Sequence, residues 1–168
     1  MSAERTAWEE AVAGAQRDAS RAALVRDGYY DADVSAAARR FAESSEWRAV
    51  QAWLPRVPGA AVDVGAGRGI ASYALARDGW RVTAVEPDDG EVVGRRAIAA
   101  LCDSTHVPVA IIDGTAERLP IGDASQDLVY ARAVLHHVRD LGRACAEMFR
   151  VLRPGGRLIA TREHVVSD

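Results

Sequence analysis

The residues best suited to chemistry lie in one run, Val62-Asp63-Val64-Gly65-Ala66-Gly67-Arg68-Gly69. Three alternating glycines follow an apolar stretch and precede a helix-forming one, the context of a tight strand-to-helix turn. Gly65 suits the turn itself, Gly67 lets a ligand lie against bare backbone, and Gly69 lets the helix pack closely on the strand. Such a turn also occurs with no ligand, so its surroundings decide. Glu86 closes the next apolar stretch about 20 residues after the first glycine, where a carboxylate can accept hydrogen bonds from both hydroxyls of a ribose. Its plainer reading is a solvated strand-end acid. The two features together point to a nucleoside cofactor.

The glycine spacing is Gly-x-Gly-x-Gly, not the Gly-x-Gly-x-x-Gly of dinucleotide binders, and an acid, Asp63, stands just before it. A pyrophosphate prefers helix amides with no negative charge nearby. A cofactor carrying an ammonium and a sulfonium tolerates that acid better, although Asp63 could instead hydrogen-bond the loop amides.

The elements that must hold these residues follow from hydrophobic periodicity. Strands are expected over 61–64, 81–85, 109–112, 127–131 and 156–161. Helices are expected over 3–26, 34–53, 70–77, 88–101 and 140–152, with breaks at Asp27-Gly28, Pro55, Pro58-Gly59 and Arg153-Pro154-Gly155-Gly156. Phe41, Trp47, Val50 and Leu54 suit one buried stripe, and Leu141, Cys145, Met148 and Leu152 another. The alternation implies an α/β fold, a Rossmann-like parallel sheet of about five strands with helices on both faces. Residues 1–58 read as an N-terminal helical segment forming a lid, and 59–168 as the core of a single domain.

Bulk composition narrows the function. The 168 residues suffice for one domain, with 49% apolar and 27% charged residues and a net charge of −3. That charge gives no basic stripe for nucleic acid, no apolar run is long enough for a bilayer, and the N-terminus lacks signal-peptide order. Cys102 and Cys145 are too few for a disulfide framework or a zinc site, and read as core residues of a cytoplasmic protein. All 21 basic residues are arginine, with neither lysine nor asparagine present. This excludes a Schiff base, a Walker-type lysine and the Tyr-Lys pair of many short-chain dehydrogenases.

Over about residues 62–161 the chain resembles the class I S-adenosylmethionine-dependent methyltransferase family, specifically its type 11 group. The glycine run is similar to that family's first motif, and Val85-Glu86-Pro87 to its ribose-binding acid. Gly114-Thr115-Ala116-Glu117-Arg118-Leu119-Pro120 resembles its adenine-side loop. Val134-Leu135-His136-His137-Val138 resembles the short helix after strand four, and Leu152-Arg153-Pro154-Gly155-Gly156 the turn before strand five. The resemblance implies S-adenosylmethionine as cofactor, with contacts from Asp63, Gly65, Ala66, Gly67, Glu86, Pro87, Asp113, Thr115, Ala116 and Ala131, and no metal. Thr115 stands where relatives often carry an adenine-binding Asp, so its hydroxyl or Asp113 takes that role, unless Asp113 is a capping acid.

In this fold the end of strand four faces the methyl group. His136 and His137 are therefore candidate general bases, against the plainer reading that either is a packed histidine. Tyr29 or Tyr30 could reach the methionine carboxylate or pack as a hinge. Tyr130-Ala131-Arg132-Ala133 is not the loop of amino-methylating DNA enzymes. Neither cysteine follows a proline, as cytosine-C5 enzymes require, and no Asn exists for a catechol-type magnesium site. What remains is a metal-independent O-, N- or C-methyltransferase for a small-molecule acceptor. A non-catalytic cofactor-binding or partner subunit is the first alternative and a nicotinamide-dependent oxidoreductase the second. The family sheet continues beyond strand five, so the chain is expected to be a fragment or minimal form. A homodimer or partner chain would then cover the exposed strand edge.

Overall fold

Helices follow the first, second and fourth strands and return the chain to the same end of the sheet, while residues 113–125 cross from the third strand to the fourth without a helix; all neighbouring strands are therefore parallel. The computed structural model describes residues 3–163. Its strands are β1 (Ala60–Val64), β2 (Arg81–Val85), β3 (Val109–Ile112), β4 (Gln126–Arg132) and β5 (Leu152–Thr161). They form one sheet in the order β3-β2-β1-β4-β5, every pair parallel, with Val64 opposite both Val85 and Ala131. Both faces of β1 are covered, so Ala61, Val62, Asp63 and Val64 are all buried. The chain runs outward from β1 to β3, then returns to place β4 on the other side of β1. Loops therefore diverge at the C-terminal ends of β1 and β4, which opens a crevice there.

The helices are shorter than periodicity alone suggests, because polar residues cap them from within. The stretch 3–26 divides at Asp18 into α1 (Ala3–Arg17), a 3-10 turn (Ala19–Arg21) and α2 (Ala22–Asp27), with the Asp18 carboxylate accepting the Ser20 amide. Residues 34–53 divide into α3 (Val34–Ala42) and α4 (Ser45–Gln51), where the Ser44 hydroxyl accepts the Trp47 amide. The remaining helices are α5 (Ile70–Arg77), α6 (Arg95–Thr105) and α7 (Leu141–Val151). Helix α6 starts at Arg95, not at residue 88, because the preceding loop is tied down by its own bonds. Asp88 accepts the Gly90 amide at 3.0 Å, and Gly94 donates to the Gly67 carbonyl at 2.9 Å.

One face of the sheet buries Phe41, Trp47, Tyr73, Leu75, Leu101, Leu128 and Tyr130 beneath α3, α4 and α5. The other buries Val62, Val64, Val129, Ala144, Met148 and Val151 beneath α7. The inward stripe of α7 is thus Ala144, Met148 and Val151, rotated from the expected one, and Cys145 is exposed. Cys102 is half-buried, so neither cysteine is a full core residue. Strand β5 begins four residues earlier than expected, because Leu152 already pairs with Gln126, and 153–156 form an irregularity before Arg157 pairs with Leu128.

Candidate active site

The chain leaves β1 at the crevice through three left-handed glycines, Gly65, Gly67 and Gly69, with φ of 64°, 57° and 78°. A Cβ on Gly65 would overlap the Val134 side chain, so the turn is pressed against the segment that leaves β4. Gly69 faces Ile98 of α6; its close packing is helix on helix, where the sequence suggested helix on strand. Gly67 differs from both. The nearest atom to a Cβ there is Val93 Cγ1 at 4.0 Å, so its bare backbone borders open space.

Glu86 follows β2 directly and is buried. Its Oε2 accepts the Gly67 amide at 2.7 Å and its Oε1 the Asp88 amide at 2.9 Å. Burial pushes its carboxyl up, only partly offset by those two amides. The carboxylate therefore braces the glycine turn, while each oxygen retains a second lone pair for a ligand.

Asp63 is buried within β1 and accepts the Ser72 hydroxyl of α5 at 2.6 Å. That partner is neither of the two the sequence suggested. Burial pushes its carboxyl from 3.8 up to about 7, Ser72 offsets part of this, and the Glu86 charge adds to it. Because the folded state holds this proton more tightly than the unfolded chain, Asp63 destabilises the fold progressively as pH rises from about 4 to about 7, and fully above that. A rise of that size corresponds to about 4 kcal/mol. An asparagine amide left unpaired at this position would return about 1–2 kcal/mol of that. Asp63→Asn is thus expected to be about 2–3 kcal/mol more stable than wild type at pH 8, with the advantage gone near pH 4. Urea unfolding at both pH values checks this, and a pH-independent difference would remove the ionisation argument.

On the adenine-side loop, Asp113 is exposed and pairs with Arg95 Nη1 at 3.2 Å. Arg95 Nη1 also donates to the Glu86 and Pro87 carbonyls at 2.8 Å each, which links α6 to the segment after β2. Thr115 is exposed, while Ala116 is buried.

Beyond buried Ala131 at the end of β4, His136 and His137 sit on a 3-10 turn, Leu135–His137, with ring centroids 4.1 Å apart. Burial and the neighbouring His136 push His137 down. Trp8 of α1 lies 6.5 Å from the His137 ring and 6.0 Å from Tyr30, and Glu9 accepts the Val92 amide at 2.8 Å. Helix α1 thus reaches both the loop after β2 and the histidine turn. Tyr29 packs on Phe41 at 5.2 Å, with the guanidiniums of Arg40 and Arg132 at 5.1 and 5.3 Å from its ring. Arg68, inside the glycine run, is buried; it donates to the Tyr29 carbonyl at 3.0 Å, and its Nε has no hydrogen-bond partner among the described residues.

At the C-terminal ends of β1, β2 and β4 the structure thus places the glycine turn, Glu86, Ala131 and the histidine turn, with Asp63 buried within β1 and Asp113 and Thr115 exposed after β3. Ser72, Arg68 and Trp8 carry no local sequence signal for these contacts. Each meets its partner only through the fold.

The profile of a family described as a methyltransferase domain matches residues 62–160. The chain is 34% identical over 109 residues to dimethylglycine N-methyltransferase of Parasynechococcus marenigrum, covering 61% of this chain and 37% of that protein. It is also 34% identical over 99 residues to a ubiquinone biosynthesis O-methyltransferase of Methylobacterium, covering 59% and 39%. Among solved structures, it is similar to an SAM-dependent methyltransferase, possible histamine N-methyltransferase, of Thermotoga maritima. That match has 32% identity and a TM-score of 0.55, covering 73% of this chain and 52% of that one. The chain spans less than two fifths of the length of these two curated relatives.

Proposed function

The chain belongs to the methyltransferase domain family, and from that premise we propose that it binds S-adenosylmethionine in the β1/β4 crevice and transfers the methyl group, without a metal, to an oxygen, nitrogen or carbon of a small-molecule acceptor. The observation that carries this reading is the direct bond between the Gly67 amide and Glu86, beside backbone that borders open space. The donor set suits the cofactor. The bare backbone of Gly65, Ala66 and Gly67 fits a methionyl chain, and a cation bound there would favour the ionised form of Asp63 beneath it. Glu86 has lone pairs for two ribose hydroxyls, with Pro87 following it. Asp113, Thr115 and Ala116 border the adenine position, where the exposed Thr115 hydroxyl has lone pairs for an exocyclic amine. Ala131 floors the methyl end. When bound, the cofactor supplies a methyl group activated by the adjacent sulfonium. The protein has then to align the acceptor and exclude water.

In this reading α1 and α2 act as the lid, held by Glu9 on one side of the crevice and Trp8 on the other. The relatives' names include N- and O-methyltransferases, so the acceptor atom stays open between them and carbon.

Glu86→Gln tests the ribose contact. The substitution keeps the shape but removes a charged acceptor, so affinity is expected to fall by about 1–3 kcal/mol. The loss should be equal for S-adenosylmethionine and its demethylated product, because the ribose hydroxyls lie away from sulfur. Wild-type affinity in calorimetry would leave Glu86 as a brace of the turn and no more.

A further inference from the structure

The segments leaving β4 and β5 bend side by side, and in each the bend falls on a non-glycine residue in the left-handed region, Ala133 at φ 54° and Arg162 at φ 57°. Ala133 donates its amide to the Thr161 carbonyl at 2.9 Å, locking the two bends together. Such conformations persist only where the surroundings over-determine them. Here the second bend sends Glu163 back over the first. Its Oε1 accepts the Val134 and Leu135 amides at 2.9 and 3.1 Å, and its Oε2 accepts the His136 amide at 3.3 Å. The same Oε2 meets His136 Nδ1 at 2.9 Å.

Four donors thus converge on one carboxylate. Burial pushes Glu163 up, but His136 and the three amides outweigh it and hold the carboxyl below its ordinary range. An ionised carboxylate only accepts, so the contact is attractive only when Nδ1 carries the proton. In the neutral imidazole this makes Nε2 the basic nitrogen. His137 has a different setting, its ring tilted against His136 and beside Trp8.

We propose that Glu163 is a positioning residue that holds His136 in its Nδ1–H tautomer, so that His136 Nε2 takes the proton from an O–H or N–H acceptor during methyl transfer. The acceptor's electron pair forms the bond to the methyl carbon, the carbon–sulfur pair remains on sulfur, and the acceptor's proton ends on Nε2. This favours acceptors that must lose a proton, such as hydroxyls, over tertiary amines, which need no base.

The inference rests on the methyl-transfer reading, and the two can fail separately. Long-range proton–nitrogen NMR of the neutral rings reads the tautomer directly, without an acceptor. His136 in the wild-type chain is expected to be protonated at Nδ1. In Glu163→Gln the amide oxygen can keep the Val134 and Leu135 amides while its NH2 faces His136. The ring is then expected to switch to the Nε2–H form, with amide shifts outside the turn unchanged and S-adenosylmethionine affinity within twofold of wild type. Glu163→Ala should also relax His136 toward Nε2–H, even if the turn loosens. An Nε2–H ring in the wild type, or an Nδ1–H ring surviving both substitutions, overturns the role of Glu163 with cofactor binding intact. Failure of the folded wild type to bind S-adenosylmethionine overturns the methyl-transfer reading, and this inference with it.

Discussion

Replacing Gly67 by valine is expected to abolish S-adenosylmethionine binding while leaving the sheet folded. The fold tolerates the added atoms, since a Cβ at this position meets nothing nearer than Val93 Cγ1 at 4.0 Å. In the proposed binding mode the ligand does not, because that open space is where the methionyl chain lies against backbone. The backbone itself sets a second, smaller effect. At φ 57° a residue with a Cβ costs about 1–2 kcal/mol, or about 2–8 °C in Tm for a chain of this size. Gly155 separates the two effects. It lies in β5 at φ 82° with nothing within 4 Å of a Cβ, so Gly155→Val carries similar strain away from the crevice. Calorimetry should find binding lost in the first variant and near wild type in the second. Equal losses in both would make strain the cause and remove the case for Gly67 as a ligand surface.

Trp47→Ala is expected to be the most destabilising single change considered, at about 3–5 kcal/mol. Trp47 is fully buried, its ring 5.4 Å from Phe41 and 6.0 Å from Tyr130, and its Nε1 donates to Asp78 at 2.9 Å. Removing it empties the junction of α4, α5 and β4 and leaves Asp78 Oδ2 with Gln51 as its remaining donor. Against a total of about 5–15 kcal/mol, this is a large share of the stability of a domain. Trp47→Phe keeps most of the volume and forfeits the bond to Asp78, so it should cost about 1–2 kcal/mol. Chemical denaturation distinguishes these cases, and a loss below about 1 kcal/mol for Trp47→Ala would mean that α4 is not anchored in the core.

How much of this was legible beforehand depended on whether a residue's partner lies nearby in sequence. Strands β1, β2 and β4 are short and mostly apolar, with Val62, Val64, Val82, Val85, Leu128 and Val129 buried, and such runs are visible locally. The glycine turn was legible because positive φ leaves a compositional mark. Helix ends were less so. Periodicity runs on through Asp18 and Ser44, whereas the backbone yields to their capping bonds. The delayed start of α6 depends on Gly94 donating to Gly67, which belongs to a different loop. The burial of Ala144 and Val151 in place of Leu141 and Cys145 is a rotation of the α7 stripe that tertiary packing decides.

The site divides along the same line. Glu86 was found through its fixed distance from the glycines, and its buried bond to Gly67 follows from the β1–β2 register. Ser72 is the partner of Asp63 through the packing of α5 on β1, and Glu163 meets His136 across two strands. Neither pairing has a sequence spacing that identifies it in advance.

Everything proposed for the crevice depends on where S-adenosylmethionine binds. A proton–nitrogen NMR titration of the labelled chain reads both affinity and place. Saturable shifts are predicted at the amides of Gly65, Ala66, Gly67, Glu86, Asp88 and Ala116, with those of Trp53 and Leu158 unmoved and NAD without effect. A folded chain that shows no shifts, or shifts gathered away from the glycine turn, would contradict it.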